Sequence, residues 1–326
     1  MNKEYEIIDL CKFFASVIVV AIHTTNLNNC GNIYISNIWN SISILAVPFF
    51  FISTGYLSFC KYNKIEIDKI KKLLIKFIKI YVICTIVYLP ITIYYYRISG
   101  FPLLKSLAYF IRSFIFIGEN FNSWPLWYLL SSIYCFFILY IFCKLRFSDK
   151  QILISAIIIL FVGYSITIIC PLDISFLNLF NFLVNNILGG TGRILYGIGY
   201  ISVGIYLAIS KKRFLKSKTI SFILFVILLI FPKRFKMIIA FGFIVFVFSE
   251  LVTINYKSVY LDNKLFRTLS TVTYFTHMLF YTLIEFVVNN YEYRGFVPFL
   301  ITLFLTWICG IFYYFVKNRH KNIDVW

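Results

Sequence analysis

The sequence predicts an all-α integral membrane protein of about ten transmembrane helices with both termini cytoplasmic. Three observations carry that prediction. Hydrophobic residues make up 61% of the 326, and a mean hydropathy of +0.85 is far above that of a water-soluble chain. Apolar stretches long enough to cross a bilayer recur along the whole length. The positive charge, +18 in net, gathers on alternate connections. With only 13% charged residues, that excess is not the supercharged surface of a nucleic-acid binder.

The apolar runs fall at 7–27, 38–60, 73–96, 124–143, 151–170, 193–210, 218–231, 236–252, 268–289 and 296–316. With the termini inside, inner segments carry 23 of the 31 Lys and Arg, and the outer side keeps eight. The inner set includes Lys3, the seven lysines from Lys61 to Lys79, Lys211, Lys212, Arg213, Lys216, Lys257 and Lys321. The outer set includes Arg97, Lys105, Arg112, Arg193, Lys236 and Arg294. That asymmetry fixes the orientation. No small-residue cleavage site follows the first run, so the first helix is expected to be retained. The runs at 218–231 and 236–252 are short and joined by a basic turn, Phe231-Pro-Lys-Arg-Phe-Lys236. They form either a tilted hairpin or a place where the count falls by two. Residues 101–118 read as an amphipathic helix on the outer interface, because Lys105 and Arg112 interrupt its apolar face. One domain over 1–326 is expected, with no soluble domain.

Eight cysteines are scattered without a Cys-x-x-Cys spacing, which is neither a zinc pattern nor a disulfide framework. Cys30 and Cys170 both fall near the outer face, but a bond between them is not expected. Three histidines, with His320 in a polar tail, make a protein-built metal site improbable, so no metal is expected.

The first helix carries the clearest chemical signal. Asp9, Lys12, Ser16 and His23 share one face of an apolar span, with Lys12 and His23 about 16 Å apart along the axis. Taken singly, Lys12 reads as a snorkelling inner anchor and His23 as an interfacial polar residue. Together they make a polar stripe of the kind that faces a bundle interior or an aqueous path. A neutral histidine there can take a proton from a hydroxyl or carry an acyl group. Lys76 and Lys79, one turn apart at the inner end of the third span, are paired cations able to hold a polyanion such as the phosphates of coenzyme A. Arg193 opens the sixth span at the outer face, either as an anchor or as a group steadying an acceptor or an oxyanion. Gly197, Gly199 and Gly204 on that span read as packing positions. Trp127 and Tyr128 read first as an aromatic belt. His277 falls near mid-membrane, and a buried histidine bonded to a neighbouring helix is its plainer reading.

These residues resemble landmarks of the acyltransferase-3 family of multi-pass membrane O-acyltransferases. Ile8-Asp9-Leu-Cys-Lys12 through His23 is similar to the family's opening helix, where a cation is followed by histidine. Val47-Pro-Phe-Phe-Phe-Ile-Ser53-Thr-Gly55-Tyr56 resembles its second helix, and Leu126-Trp127-Tyr128-Leu129 its fourth. Arg193 with Gly204 and Tyr274-x-x-His277 resemble two later landmarks. The resemblance implies transfer of an acyl group, commonly acetyl, from cytoplasmic acyl-CoA to a hydroxyl of a glycan on the far side. It implies His23 as the catalytic residue and Lys12 as its matched cation, with Lys76 and Lys79 standing where the family carries Arg-x-x-Arg. Lysine keeps the charge there but loses the bidentate geometry. The segment from Val20 to Leu27 is also similar to the membrane half of membrane-bound serine racemases. The pyridoxal-phosphate half is not in this sequence, so racemisation is not expected.

The favoured reading is an acyltransferase. Acetyl-CoA or another acyl-CoA is its co-substrate and docks on Lys72, Lys76 and Lys79; a cell-surface glycan is its acceptor. The expected catalytic set is His23, Lys12, Asp9 and Arg193, supported by Ser16, Trp127, Tyr128 and His277. The alternative is a transporter of an amino acid or glycan precursor that uses the same polar face. A structural subunit leaves the stripe unexplained. The expected surroundings are a lipid bilayer, with no nucleic-acid partner. Richness in Ile, Lys, Asn and Phe hints at an AT-rich bacterial genome. No motif encodes the acceptor, the acyl chain or the oligomeric state.

Overall fold

The computed structural model describes residues 6–172, 177–210, 217–254, 263–289 and 293–319. Lys3, Lys211, Lys212, Arg213, Lys216, Lys257, His320 and Lys321 lie outside them. Among the described residues the chain is helical throughout and has no strand. In order the helices are α1 Glu6–Thr24, α2 Ile33–Phe59, α3 Ile67–Ile98, α4 Leu103–Arg112, α5 Leu126–Lys144 and α6 Asp149–Ile169. They continue with α7 Asn178–Leu188, α8 Tyr196–Ser210, α9 Ser217–Ile230, α10 Lys236–Leu251, α11 Asn263–Val288 and α12 Phe296–Arg319. Among the described residues, eight helices are long and apolar enough to cross a bilayer: α1, α2, α3, α5, α6, α8 with the single turn before it, α11 and α12. This is an all-α integral membrane protein.

Eight of the ten expected runs are therefore spanning helices. The other two, at 218–231 and 236–252, are the shorter α9 and α10, of 14 and 16 residues. Each falls short of the roughly 20 residues a span needs, and the two pack on one another as a hairpin. The helix at 101–118 forms as α4 and runs on through a wide turn at Ser113–Ile117. Lys105 lies 4.4 Å from the Phe101 ring centroid, a cation over an aromatic face. The short α7 had no counterpart in the hydropathy pattern. α3 begins at Ile67 rather than at 73, because lysine is a good helix former and Asp68 suits a first turn. Local caps follow the residues. Asn32 accepts from the amides of Tyr34 and Ile35 at the head of α2, and Ser148 with Gln151 makes a capping box for α6. All eight cysteines are free thiols.

Contacts gather into two compact units, one of residues 1–50 and 213–326, the other of 51–212. In the first, α11 packs along both α1 and α12, and the hairpin α9–α10 lies on the beginning of α2. Lys236, 1% exposed, holds that hairpin by donating to Ser41 Oγ (2.7 Å) and to the Asn37 carbonyl oxygen (3.2 Å). In the second, α3 packs on α5, and α8 packs on both α5 and α6. Here α8 meets the end of α2 backbone to backbone. A Cβ placed on Gly204 would run into the Ile52 carbonyl, and one on Gly55 into that of Ile201. Gly204→Ala is expected to force the helices apart and cost about 1–3 kcal/mol, read as a lowered unfolding temperature in detergent.

Candidate active site

The polar stripe of α1 meets α11, and its two ends meet different partners. At the far end the His23 ring lies on that of His277, with centroids 5.4 Å apart and planes 23° apart. His23 is half-buried, in the last turn of α1. His277 is fully buried. Its Nδ1 is 3.0 Å from the Thr273 carbonyl oxygen one turn back, so Nδ1 carries the proton and, in the neutral ring, Nε2 presents a lone pair. That Nε2 is buried and has no hydrogen-bond partner. His277 thus bonds its own helix rather than a neighbour, and the neighbour it touches is His23. Tyr274 stands edge-on to it at 6.3 Å and packs on Phe50 at 5.1 Å. The bonds from Gly295 N to Thr24 O (2.8 Å) and from Asn26 Nδ2 to Arg294 O (3.4 Å) tie the end of α1 to the α11–α12 connection.

At the near end, Arg267 of α11 donates through Nε (3.0 Å) and through one terminal nitrogen (2.6 Å) to Asp9 Oδ2. Asp9 is 1% exposed, and its other oxygen is buried without a partner. About 21 Å of unbroken helix separates Asp9 from His23, and about 16 Å separates Lys12 from it. Asp9 is too far along the helix to touch an atom that His23 touches. Asp9 is the buried half of an ion pair that sets α1 against α11. Ser16, also fully buried, donates to the Phe13 carbonyl oxygen at 2.7 Å, an ordinary backbone-bonded helix serine.

The remaining residues belong to the second unit. Lys72, Lys76 and Lys79 are exposed and lie within about 60° of one another on α3, opposite the buried stripe Ile70–Tyr81–Cys84–Tyr88. They form one cationic strip. Arg193 is ion-paired with Glu119 and places its guanidinium carbon 5.5 Å from the Trp127 ring centroid. Ser131 ties that turn to α5 by donating to the Ile194 carbonyl oxygen (2.8 Å) and accepting from Gly197 N (3.0 Å). Tyr128 is buried and shares a 2.7 Å hydrogen bond with Thr54. Trp127 and Tyr128 are thus packing partners within the bundle. Beside Glu119 a cleft opens between Tyr81, Tyr88, Thr92, Asn120 and Ser123. Its enclosed part has room for about one water molecule, too little for a sugar ring.

Sequence reasoning missed the partners. By charge alone Arg267 counts only among the 23 inner cations, and Glu119 stands in no motif. Both carry a usable signal. A carboxylate is rare in so apolar a chain, and Asp9 and Glu119 each fall on the same expected side as the arginine they meet. Tyr281 and Glu285, at four-residue steps from His277, continue a second polar stripe on α11.

A membrane-embedded helical bundle that brings two imidazoles into contact, one in the last turn of α1 and one midway along α11, has the elements of a group-transfer enzyme. Residues 5–316 match the acyltransferase-3 family model, described as an acyltransferase domain, and the chain belongs to that family. It is a multi-pass membrane protein of that family. Two amino-acid racemases from Enterococcus faecalis are similar over part of the chain. One is 30% identical over 162 residues, covering 48% of this chain and 21% of the racemase. The other is 32% identical over 124 residues, covering 36% and 17%. The chain thus spans about a fifth of the length of the curated relatives it matches. No solved structure matches it.

Proposed function

We propose that the protein is a bacterial cell-membrane O-acyltransferase. It takes an acyl group, acetyl in the simplest case, from cytoplasmic acyl-CoA and delivers it to a hydroxyl of an extracytoplasmic cell-surface glycan. The observation that carries this reading is the His23–His277 contact at one end of α1, with an ion-paired, lysine-bearing end about 20 Å away. Charge asymmetry supports placing the lysine end inside and the histidine end outside. Lys72, Lys76 and Lys79 hold the phosphates of coenzyme A as point charges. His23, as base or as acyl carrier, brings the acyl carbon and the acceptor oxygen to reaction. Arg193 and its Trp127 platform steady the acceptor. Asp9 and Arg267 act at a distance by fixing how α1 lies on α11.

Calorimetric titration of acetyl-CoA into the purified chain tests the donor half. Micromolar binding is expected, with a loss of about tenfold or more in Lys76→Ala/Lys79→Ala, since each phosphate contact is charge-assisted. Absence of binding by well-folded wild-type protein would return the chain to the transporter reading.

A further inference from the structure

Resting on that acyltransferase reading, we infer that His277 is a second catalytic residue: His23 carries the acyl group, and Nε2 of His277 receives the proton of the acceptor hydroxyl. The argument begins with helix register. Thr273 Oγ1 of α11 lies 3.5 Å from Thr306 Oγ1 of α12, and Leu269 backs directly on Gly310. Both contacts keep one antiparallel register, in which four residues forward on α11 match four residues back on α12. His277 therefore lies level with Thr302. Both are fully exposed to neither water nor lipid, each being 0% accessible, and both leave a polar atom unbonded: Nε2 of His277 and Oγ1 of Thr302. A buried polar atom without a partner is costly to the fold. One of them stacks on the His23 ring and the other is level with it on the neighbouring helix, an arrangement that suits a ligand's polar atoms.

Their chemistry is complementary. The Nδ1–H of His277 is committed to the Thr273 carbonyl, so Nε2 offers only a lone pair and suits a hydroxyl proton. The Thr302 hydroxyl is a donor and suits a carbonyl oxygen. A nucleophile beside a base that a third group orients is the general arrangement for covalent catalysis. In the first step a His23 ring nitrogen attacks the thioester carbonyl. The C–N bond forms, the C–S bond breaks, and coenzyme A leaves as thiolate with the electron pair. In the second step the acceptor oxygen attacks the same carbon while its proton passes to His277 Nε2. The C–N bond then breaks, and its electron pair returns to His23. The proton on His277 finally neutralises the thiolate charge through solvent.

Release of free coenzyme A from acetyl-CoA, with water standing in for the acceptor, separates the two steps in the purified full-length chain. Wild type should show a burst of about one equivalent followed by slow turnover. His277→Gln should bind acetyl-CoA normally and keep the burst, with turnover reduced by about 10²–10⁴-fold. His23→Ala should lose the burst. Thr302→Val, which keeps the side chain's shape, should keep the burst and lose about 100-fold in turnover. Wild-type turnover in His277→Gln or in Thr302→Val overturns the inference, as does loss of the burst in a His277→Gln protein that still binds acetyl-CoA. Failure of wild type to bind acetyl-CoA overturns the acyltransferase reading itself.

Discussion

Replacing His23 by Ala is expected to lower acyl transfer by about a thousandfold or more while leaving the protein folded. The expectation combines position and burial. His23 sits in the last turn of α1 and is half-buried, so truncating it opens a space at the helix end rather than a cavity in the core. The lost contact with the His277 ring is worth about 1 kcal/mol. The melting profile in detergent should barely move, and acetyl-CoA should still bind at the lysines of α3. A His23→Ala protein that transfers at the wild-type rate would remove the residue from the mechanism.

The second large effect concerns stability and is asymmetric. Asp9 is almost wholly buried, whereas the Arg267 side chain is 53% exposed. Removing Arg267 strands a carboxylate in a low-dielectric interior. Removing Asp9 leaves a cation that still reaches water or headgroups. Arg267→Ala is therefore expected to cost about 3 kcal/mol, the low end of the range for breaking a buried pair because one partner is half exposed. Asp9→Asn should cost visibly less, and Arg267→Ala/Asp9→Ala should regain most of the loss. Unfolding midpoints of the three variants in one detergent check this. Equal losses in Arg267→Ala and Asp9→Asn would show that the pair does not hold α1 against α11.

How much of this was legible depends on whether a signal is local. The stripe of Asp9, Ser16 and His23 follows from the helical period alone, and the structure turns that face toward α11. What the face meets could not be read, because Asp9 and Arg267 lie 258 positions apart. No pattern within one helix names a partner on another. Hydropathy located the spans but blurred where helices begin. The lysines from Lys69 to Lys72 looked like a loop by charge, although they ride on α3 from its first turns. It also left α9 and α10 ambiguous, since 14 and 16 apolar residues lie between a buried helix and a span. The eleven-residue α7 had too few residues to register at all.

The knot of bonds from Thr24 and Asn26 to Arg294 and Gly295 has a consequence for biosynthesis. α1 leaves the ribosome well before α11, and it carries an aspartate, a lysine and a histidine into lipid. Arg267, which pairs with Asp9, is made 258 residues later, on the order of tens of seconds at ordinary rates of elongation. Throughout that interval the helix must be sheltered at the insertion machinery or tilted so that its charges reach the headgroups. A ribosome that stalls before residue 263 leaves behind a membrane-inserted fragment whose polar seam has nothing to close on, a natural target for quality-control proteolysis.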